Sequence, residues 1–303
     1  LSMFIEPLQQ LQQNLWLALT VFAVLGLCVG SFLNVVIHRM PLMMRYEWRH
    51  EIAEFLSYQE DIDEPVKMSV SQAVAKDTRM TLSLPASRCP HCEHRIRWYE
   101  NIPVISWLML RGKCGDCHAP ISIRYPLVEI ITAVLSVLVI HQFGVSIQGI
   151  CALMFVWILI ALTGIDFDTQ YLPDRLVYPL MGIGLAVNSF DVFASPITAI
   201  WGLLFGFLSL WVVAKGFYLI MKKQGMGQGD FKLLAALGAW LGVSMLPFII
   251  FTSALLGSMI GLVLMKVHGE SRPFAFGPYL AMAGILALLF GNDILNWYLS
   301  LYA

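Results

Sequence analysis

The sequence predicts an all-α polytopic membrane protein of about eight transmembrane helices, with a small cytoplasmic zinc-ribbon-like domain inserted between spans 1 and 2. Three observations carry this. The 303 residues are 58% hydrophobic and 13% charged, against about 25% charged in soluble domains. The apolar residues gather into runs near the roughly 20 residues that cross a bilayer. Two C-x-x-C pairs fall in the one long polar stretch. The net charge of −1 says little about a nucleic-acid partner, and none is expected.

The first apolar run covers residues 15–37. No basic segment precedes it, so it is expected to remain as a span and not to be removed as a signal peptide; Leu1 and Ser2 read as additions ahead of Met3. After the polar stretch, apolar runs cover about 125–141, 148–165, 176–190, 197–221, 231–244, 245–267 and 277–299, with Pro247 expected near the turn between spans 6 and 7. The organisation is thus an N-terminal tail and first span (1–38), a polar domain (39–124) and a seven-helix membrane domain (125–303).

Basic residues orient these spans. The polar stretch holds 12 of the 19 Lys and Arg. Arg175, Lys222, Lys223 and Arg272 fall in the connections after spans 3, 5 and 7, Lys232 and Lys266 lie at the ends of spans 6 and 7 that adjoin those connections, and only Lys215 lies deeper within a span. With eight spans every basic connection lands on one side. The polar domain is therefore placed in the cytoplasm, and both termini face out.

Within the polar domain, the segment from Glu47 to Phe55 reads as a short amphipathic helix, lying on the domain or membrane surface or simply solvated. Cys89-Pro-His-Cys92 and Cys114-Gly-Asp-Cys117 follow, separated by 21 residues. Each pair makes a tight knuckle. Four thiolates give a closed tetrahedral shell that suits structural zinc and not catalysis. Zinc is favoured over disulfides or free thiols, and the metal would fold a ribbon too small to build a core alone. His91, His94 and His118 are expected at the surface, because four cysteines complete the shell. Cys28 and Cys151 lie in apolar runs and read as core residues.

Two acids sit where acids are costly. Asp166 ends the run Leu159–Ile165, and Asp230 follows Gly225-Met-Gly-Gln-Gly at the start of span 6. The topology puts both at the cytoplasmic end of the bundle. Asp230 admits a capping role at the positive end of its helix. The glycines at 225, 227 and 229 add a second reading, a loop where a substrate backbone can approach the acid. Asp174 fits a cap, Asp168 a solvated loop, and Glu129 a neutral acid or a partner of Arg124. Two carboxylates at one site share a proton, one serving as base on water and the other as acid towards a carbonyl. No G-x-S-x-G elbow occurs, and His50-Glu51-Ile-Ala-Glu54 lacks the second histidine of a zinc protease helix.

Taken together, Gly30-Ser-Phe-Leu-Asn-Val-Val-Ile-His-Arg39, the two knuckles, Arg124-Tyr-Pro-Leu-Val-Glu129, Asp166 with Leu172-Pro-Asp174, Gly225-Met-Gly-Gln-Gly-Asp230-Phe-Lys and Phe276-Gly-Pro-Tyr279 resemble the type IV prepilin peptidases nearly end to end. The resemblance implies an enzyme that removes the basic leader of type IV prepilins or type II secretion pseudopilins after a Gly at the cytoplasmic face. It then implies N-methylation of the new N-terminal residue, usually Phe, from S-adenosylmethionine. Asp166 and Asp230 take the places of the family's catalytic acids. The expected partners are these substrates, membrane lipid, and the pilus or type II secretion machinery. No residue is indicated for the methyl donor, whose expected place is the polar domain. The alternative is a single-function intramembrane aspartyl protease of the presenilin or preflagellin type, which lacks the cysteine finger. A proton-relay transporter would hold its acids at mid-membrane, and a zinc-ribbon adaptor would need no acids.

Overall fold

The computed structural model describes residues 10–223, 226–268 and 275–300. Among them there is no strand, only two isolated bridges in the polar domain. Eight helices account for the apolar runs: α1 (Leu15–Tyr58), then, after α2 (Glu64–Ala75) and α3 (Ile105–Met109) of the polar domain, α4 (Arg124–Phe143), α5 (Ile147–Thr169), α6 (Asp174–Asn188), α7 (Pro196–Met221), α8 (Gln228–Leu241), α9 (Leu246–His268) and α10 (Gly277–Ser300). Five of these are long and apolar enough to cross a membrane; α10 contributes a shorter apolar stretch, while α6 and α8 have only 15 and 14 residues. The protein is a membrane protein on this basis.

One expectation about the helices is corrected. The segment from Glu47 to Phe55 is not a separate helix, because α1 runs unbroken for 44 residues from its Asn14 cap to Tyr58. No glycine or capping residue stops it at the end of the apolar run. The turn after α8 is made by Gly242, at φ +78, and Pro247 lies close to it as expected, as the second residue of α9. Proline is tolerated in a first turn, where its missing N–H would be unpaired anyway.

Small residues bring the helices together. An added Cβ at Gly26 or Gly30 of α1 would lie 2.6 Å from the Cα of Ala133 or Glu129 on α4. Gly202 of α7 likewise meets the Gly238 carbonyl of α8, and Gly206 the Leu234 carbonyl. In lipid no hydrophobic force pairs apolar helices, so this close backbone packing supplies the attraction. Trp240 of α8 is fully buried, donates to the Leu180 carbonyl at 2.7 Å and packs on Phe155 of α5 with ring centroids 5.0 Å apart. Helix α8 is thus enclosed by α5, α6, α7 and α10.

The polar domain is tied to the end of the bundle where α5 stops and α6 begins. Arg124 pairs with Asp168 at 2.6 Å and donates to the Gly164 carbonyl. Arg175 pairs with Glu47 at 2.6 Å. Exposed pairs such as these contribute little energy, but they fix which end of each helix meets which. Buried Arg39 donates to the carbonyls of Thr81, Leu82 and Pro85, anchoring that loop on α1.

Candidate active site

Asp166 sits one turn before the end of α5 and is 4% exposed. The helix closes with Gln170 in the left-handed conformation, its N–H bonded to the Asp166 carbonyl. Asp230 is the third residue of α8 and is 8% exposed. The Gly227 N–H, at the N-cap, reaches its carboxylate, as the acid of a capping box reaches back. The capping reading of Asp230 therefore holds in this limited form. The two carboxylates lie within electrostatic range of each other.

A third helix completes this corner. Gly277 opens α10, and its N–H faces the Asp166 carboxylate. A Cβ at 277 would stand 2.6 Å from Asp166 Oδ2 and 3.1 Å from Leu172. Leu172, buried in the α5–α6 connection, also touches the other side: a Cβ at Gly229 would be 2.9 Å from it. One leucine thus spaces the starts of α8 and α10 around the end of α5. Asp166 Oδ2 is buried without a hydrogen-bond partner among the described residues, a costly arrangement for a polar atom unless water or a ligand meets it.

The glycines divide by role. Gly229 is required by packing on Leu172, whereas Gly227 borders open space, its nearest neighbour for a Cβ being Asp230 Oδ2 at 3.9 Å. Gly225 lies outside the described residues. Beside the Asp166 turn is a cavity of about 190 Å³ between α1 and the α5–α6 connection, lined by Met44, Arg45, Trp48, Ile165 and Tyr171 among others.

The other acids depart from expectation. Asp168 is helical and paired with Arg124, so it is not a free loop acid. Glu129 is therefore not the partner of Arg124; it is buried and accepts the Val104 N–H at 2.7 Å. Asp174 is the first residue of α6, makes no capping bond, and holds Lys232 at 2.8 Å. Lys232 also lies over the Tyr178 ring at 5.1 Å, clamping α6 to α8 two residues past Asp230. The places of Gly277, Leu172 and Lys232 at the site carry only weak signals in the sequence. A glycine before proline at a helix start, and a lysine on an apolar helix, were the available signals.

The four knuckle cysteines converge as expected, all sulfurs lying within 4.8 Å of one another. Cys89 and Cys117 are 3.8 Å apart, Cys92 and Cys114 3.9 Å. Four sulfurs at about 2.3 Å from one zinc stand about 3.8 Å from each other, so this set fits the metal. The knuckles are built alike. Each first cysteine donates its N–H to a carbonyl five residues on, His94 or Ala119, and each loop passes through a left-handed residue, Glu93 or His118. Backbone N–H groups of His91 and Cys92 pull the Cys89 thiol down to about 6. At Cys92 the His94 N–H favours the thiolate, but desolvation and the neighbouring sulfurs push it up to about 12. Four such thiols ionise together only around a cation. His94 is not a surface residue: it joins the knuckles, with Nε2 3.1 Å from Glu100 and Nδ1 2.8 Å from Asp116.

Comparison with known proteins identifies relatives across most of the chain. Residues 24–143 match the bacterial peptidase A24 N-terminal domain, and residues 153–262 the type IV leader peptidase family. A prepilin leader peptidase/N-methyltransferase of Stutzerimonas stutzeri is 50% identical over 279 residues, 91% of this chain and 92% of that protein. The protein of the same description from Aeromonas hydrophila is 47% identical, covering 94% and 95%, and that from Legionella pneumophila 42%, covering 94% and 96%. No solved structure matches. Relatives this similar, aligned across both the cysteine ribbon and the helices that carry Asp166 and Asp230, show that the chain belongs to the type IV leader peptidase family.

Proposed function

We propose that this protein is a membrane aspartyl peptidase that removes the basic leader of type IV prepilins or type II secretion pseudopilins after a glycine, and then N-methylates the new N-terminal residue. The observation that carries the peptidase reading is the convergence of two buried acids, Asp166 and Asp230, at the adjoining ends of α5 and α8. Close carboxylates share one proton. The ionised member draws a proton from water, which attacks the scissile carbonyl, and the protonated member donates to that carbonyl oxygen. When the tetrahedral intermediate collapses, the amine leaves with a proton returned from the pair. The Gly227 and Gly277 N–H groups hold the two carboxylates in place, and the open side of Gly227 leaves room for an extended substrate backbone.

The relatives' names support two activities over a single-function protease, and the cysteine ribbon fits that choice. S-adenosylmethionine, when bound, would supply the methyl group to the freed amine. The cavity beside Asp166 is about 190 Å³, below the roughly 300–1,000 Å³ of cofactor pockets, so the whole donor is not placed there. Cys89, Cys92, Cys114 and Cys117 would hold a structural zinc with no open coordination position. The Lys and Arg distribution supports a cytoplasmic ribbon and acid pair, with both termini in the periplasm of a bacterial inner membrane. The partners are the substrates, lipid, and the pilus or type II secretion machinery. The test is purified protein in detergent with one prepilin, leader loss read by gel shift and labelled methyl incorporation read separately. Both signals are expected; neither appearing would end the proposal, and cleavage alone would favour the single-function protease.

A further inference from the structure

Most glycines in these helices are explained by neighbouring backbone or apolar side chains. Gly277 is different. Among helical glycines of the described residues where an added Cβ would come closer than 3.0 Å to anything, it alone has a carboxylate oxygen as nearest atom, Asp166 Oδ2 at 2.6 Å. The conformation of Gly277 does not require glycine. Its φ lies outside the left-handed region, the positive-φ glycines being Gly112, Gly144 and Gly242. Alanine would form the helix better. The missing side chain therefore answers to space, and the space belongs to Asp166.

We propose that Gly277 is a positioning residue for Asp166. Its N–H holds the carboxylate from the start of α10, and its bare Cα leaves the volume that Oδ2 occupies. The positive end of α10 favours that charge as well. Three helix ends thus assemble the site: α5 brings one acid, α8 the other, and α10 sets the orientation of the first. A methyl at 277 pushes the carboxylate from its working position without removing it. A displacement of 1 Å is enough to cost about a hundredfold in rate. Leu172, 3.1 Å from the same Cβ position, offers the competing explanation, simple crowding of the α5–α6 connection.

The inference rests on the peptidase reading of Asp166, and its test separates the two. Thermal unfolding in detergent is measured for wild type, Gly277→Ala, Asp166→Ala and the double variant, and prepilin cleavage for wild type, Gly277→Ala and Leu172→Ala/Gly277→Ala. Gly277→Ala is expected to lower the midpoint in the wild-type background and to lose at least half of that effect in Asp166→Ala, because the clashing oxygens are gone. Its kcat for leader removal should fall at least tenfold with KM within twofold, methylation of a pre-cleaved pilin should persist, and Leu172→Ala should not restore cleavage. If Gly277→Ala does not fold, recovery of folding in the double variant supports the contact and continued misfolding refutes it. Equal loss of stability in both backgrounds, full cleavage by Gly277→Ala, or rescue by Leu172→Ala would overturn the proposal. The unfolding cycle reads the 277–166 contact even if the chain proved not to be a peptidase, in which case wild type itself would not cleave.

Discussion

Asn188 closes the far end of the bundle and allows a worked prediction. It is fully buried and makes four hydrogen bonds. Its Nδ2 donates to the carbonyls of Ala239 and Trp240, each at 2.8 Å, which belong to the last turn of α8 and have no partner within the helix. Its Oδ1 accepts the N–H groups of Phe193 and Ala194 at 3.0 and 3.1 Å. Asn188→Leu keeps the branched shape and the number of side-chain heavy atoms, removes all four bonds, and crowds the site with two larger methyl groups, which acts in the same direction. The two N–H groups alone, left unpaired at about 1–3 kcal/mol each, cost about 2–6 kcal/mol, and the two carbonyls add to this. Asn188→Asp keeps the acceptor side but sets a carboxylate against two carbonyls, so it too should lose stability. Trp240 lies ten residues beyond Asp230, about 15 Å along the helix, so cleavage by protein that remains folded at low temperature should be close to normal. Urea or thermal unfolding in detergent reads the effect. A Leu variant within about 0.5 kcal/mol of wild type would mean that this turn is not held as described.

Three further outcomes are expected. Purified protein should contain about one zinc per chain by metal analysis; Cys92→Ser or Cys114→Ser should lose it and destabilise the polar domain, and thiols found oxidised without metal would contradict the ribbon. Glu100, whose carboxyl is held below its ordinary 4.5 first by the Arg97 N–H and then by His94, should contribute stability that is present above 4.5 and lost as pH falls through its lower folded value. Glu100→Gln should therefore flatten the acid limb of ribbon unfolding, and an unchanged limb would assign that stability elsewhere. Single-cysteine labelling should find residue 60 accessible from the cytoplasm and residue 145 from the periplasm; cytoplasmic labelling of 145 would overturn the orientation.

Much of the bundle is legible in the sequence because lipid imposes a strong rule: a spanning helix must be apolar for most of its length. The runs starting at 125, 148, 197 and 277 become helices within a residue of those positions. The rule says nothing about where a helix stops once it leaves lipid, and α1 continues to Tyr58. The knuckles are legible because their chemistry is local, a turn and two sulfurs. The ion pairs are not. Arg124 with Asp168, Arg175 with Glu47 and Lys232 with Asp174 join residues 44 or more apart, so their partners depend on which helix ends meet. Gly229 illustrates the same limit. Its sequence neighbours suggest room for a substrate, while the fold gives it a packing reason in Leu172. Gly277 shows in the sequence only as a glycine before a proline, because its meaning lies in an acid 111 residues earlier.

The central claim is that Asp166 and Asp230 act as a pair. The direct measurement is leader removal from one prepilin by Asp166→Asn and Asp230→Asn, with methylation of a pre-cleaved pilin followed in parallel. Asparagine preserves shape and removes the exchangeable proton, and neither remaining acid covers both roles, so cleavage should fall by about 10²–10⁴ or more in each. Asp168→Asn and Asp174→Asn, which disturb only ion pairs, should keep most of it, and methylation should continue in all four folded variants. Near-normal cleavage by well-folded Asp166→Asn or Asp230→Asn protein would contradict the paired-carboxylate account.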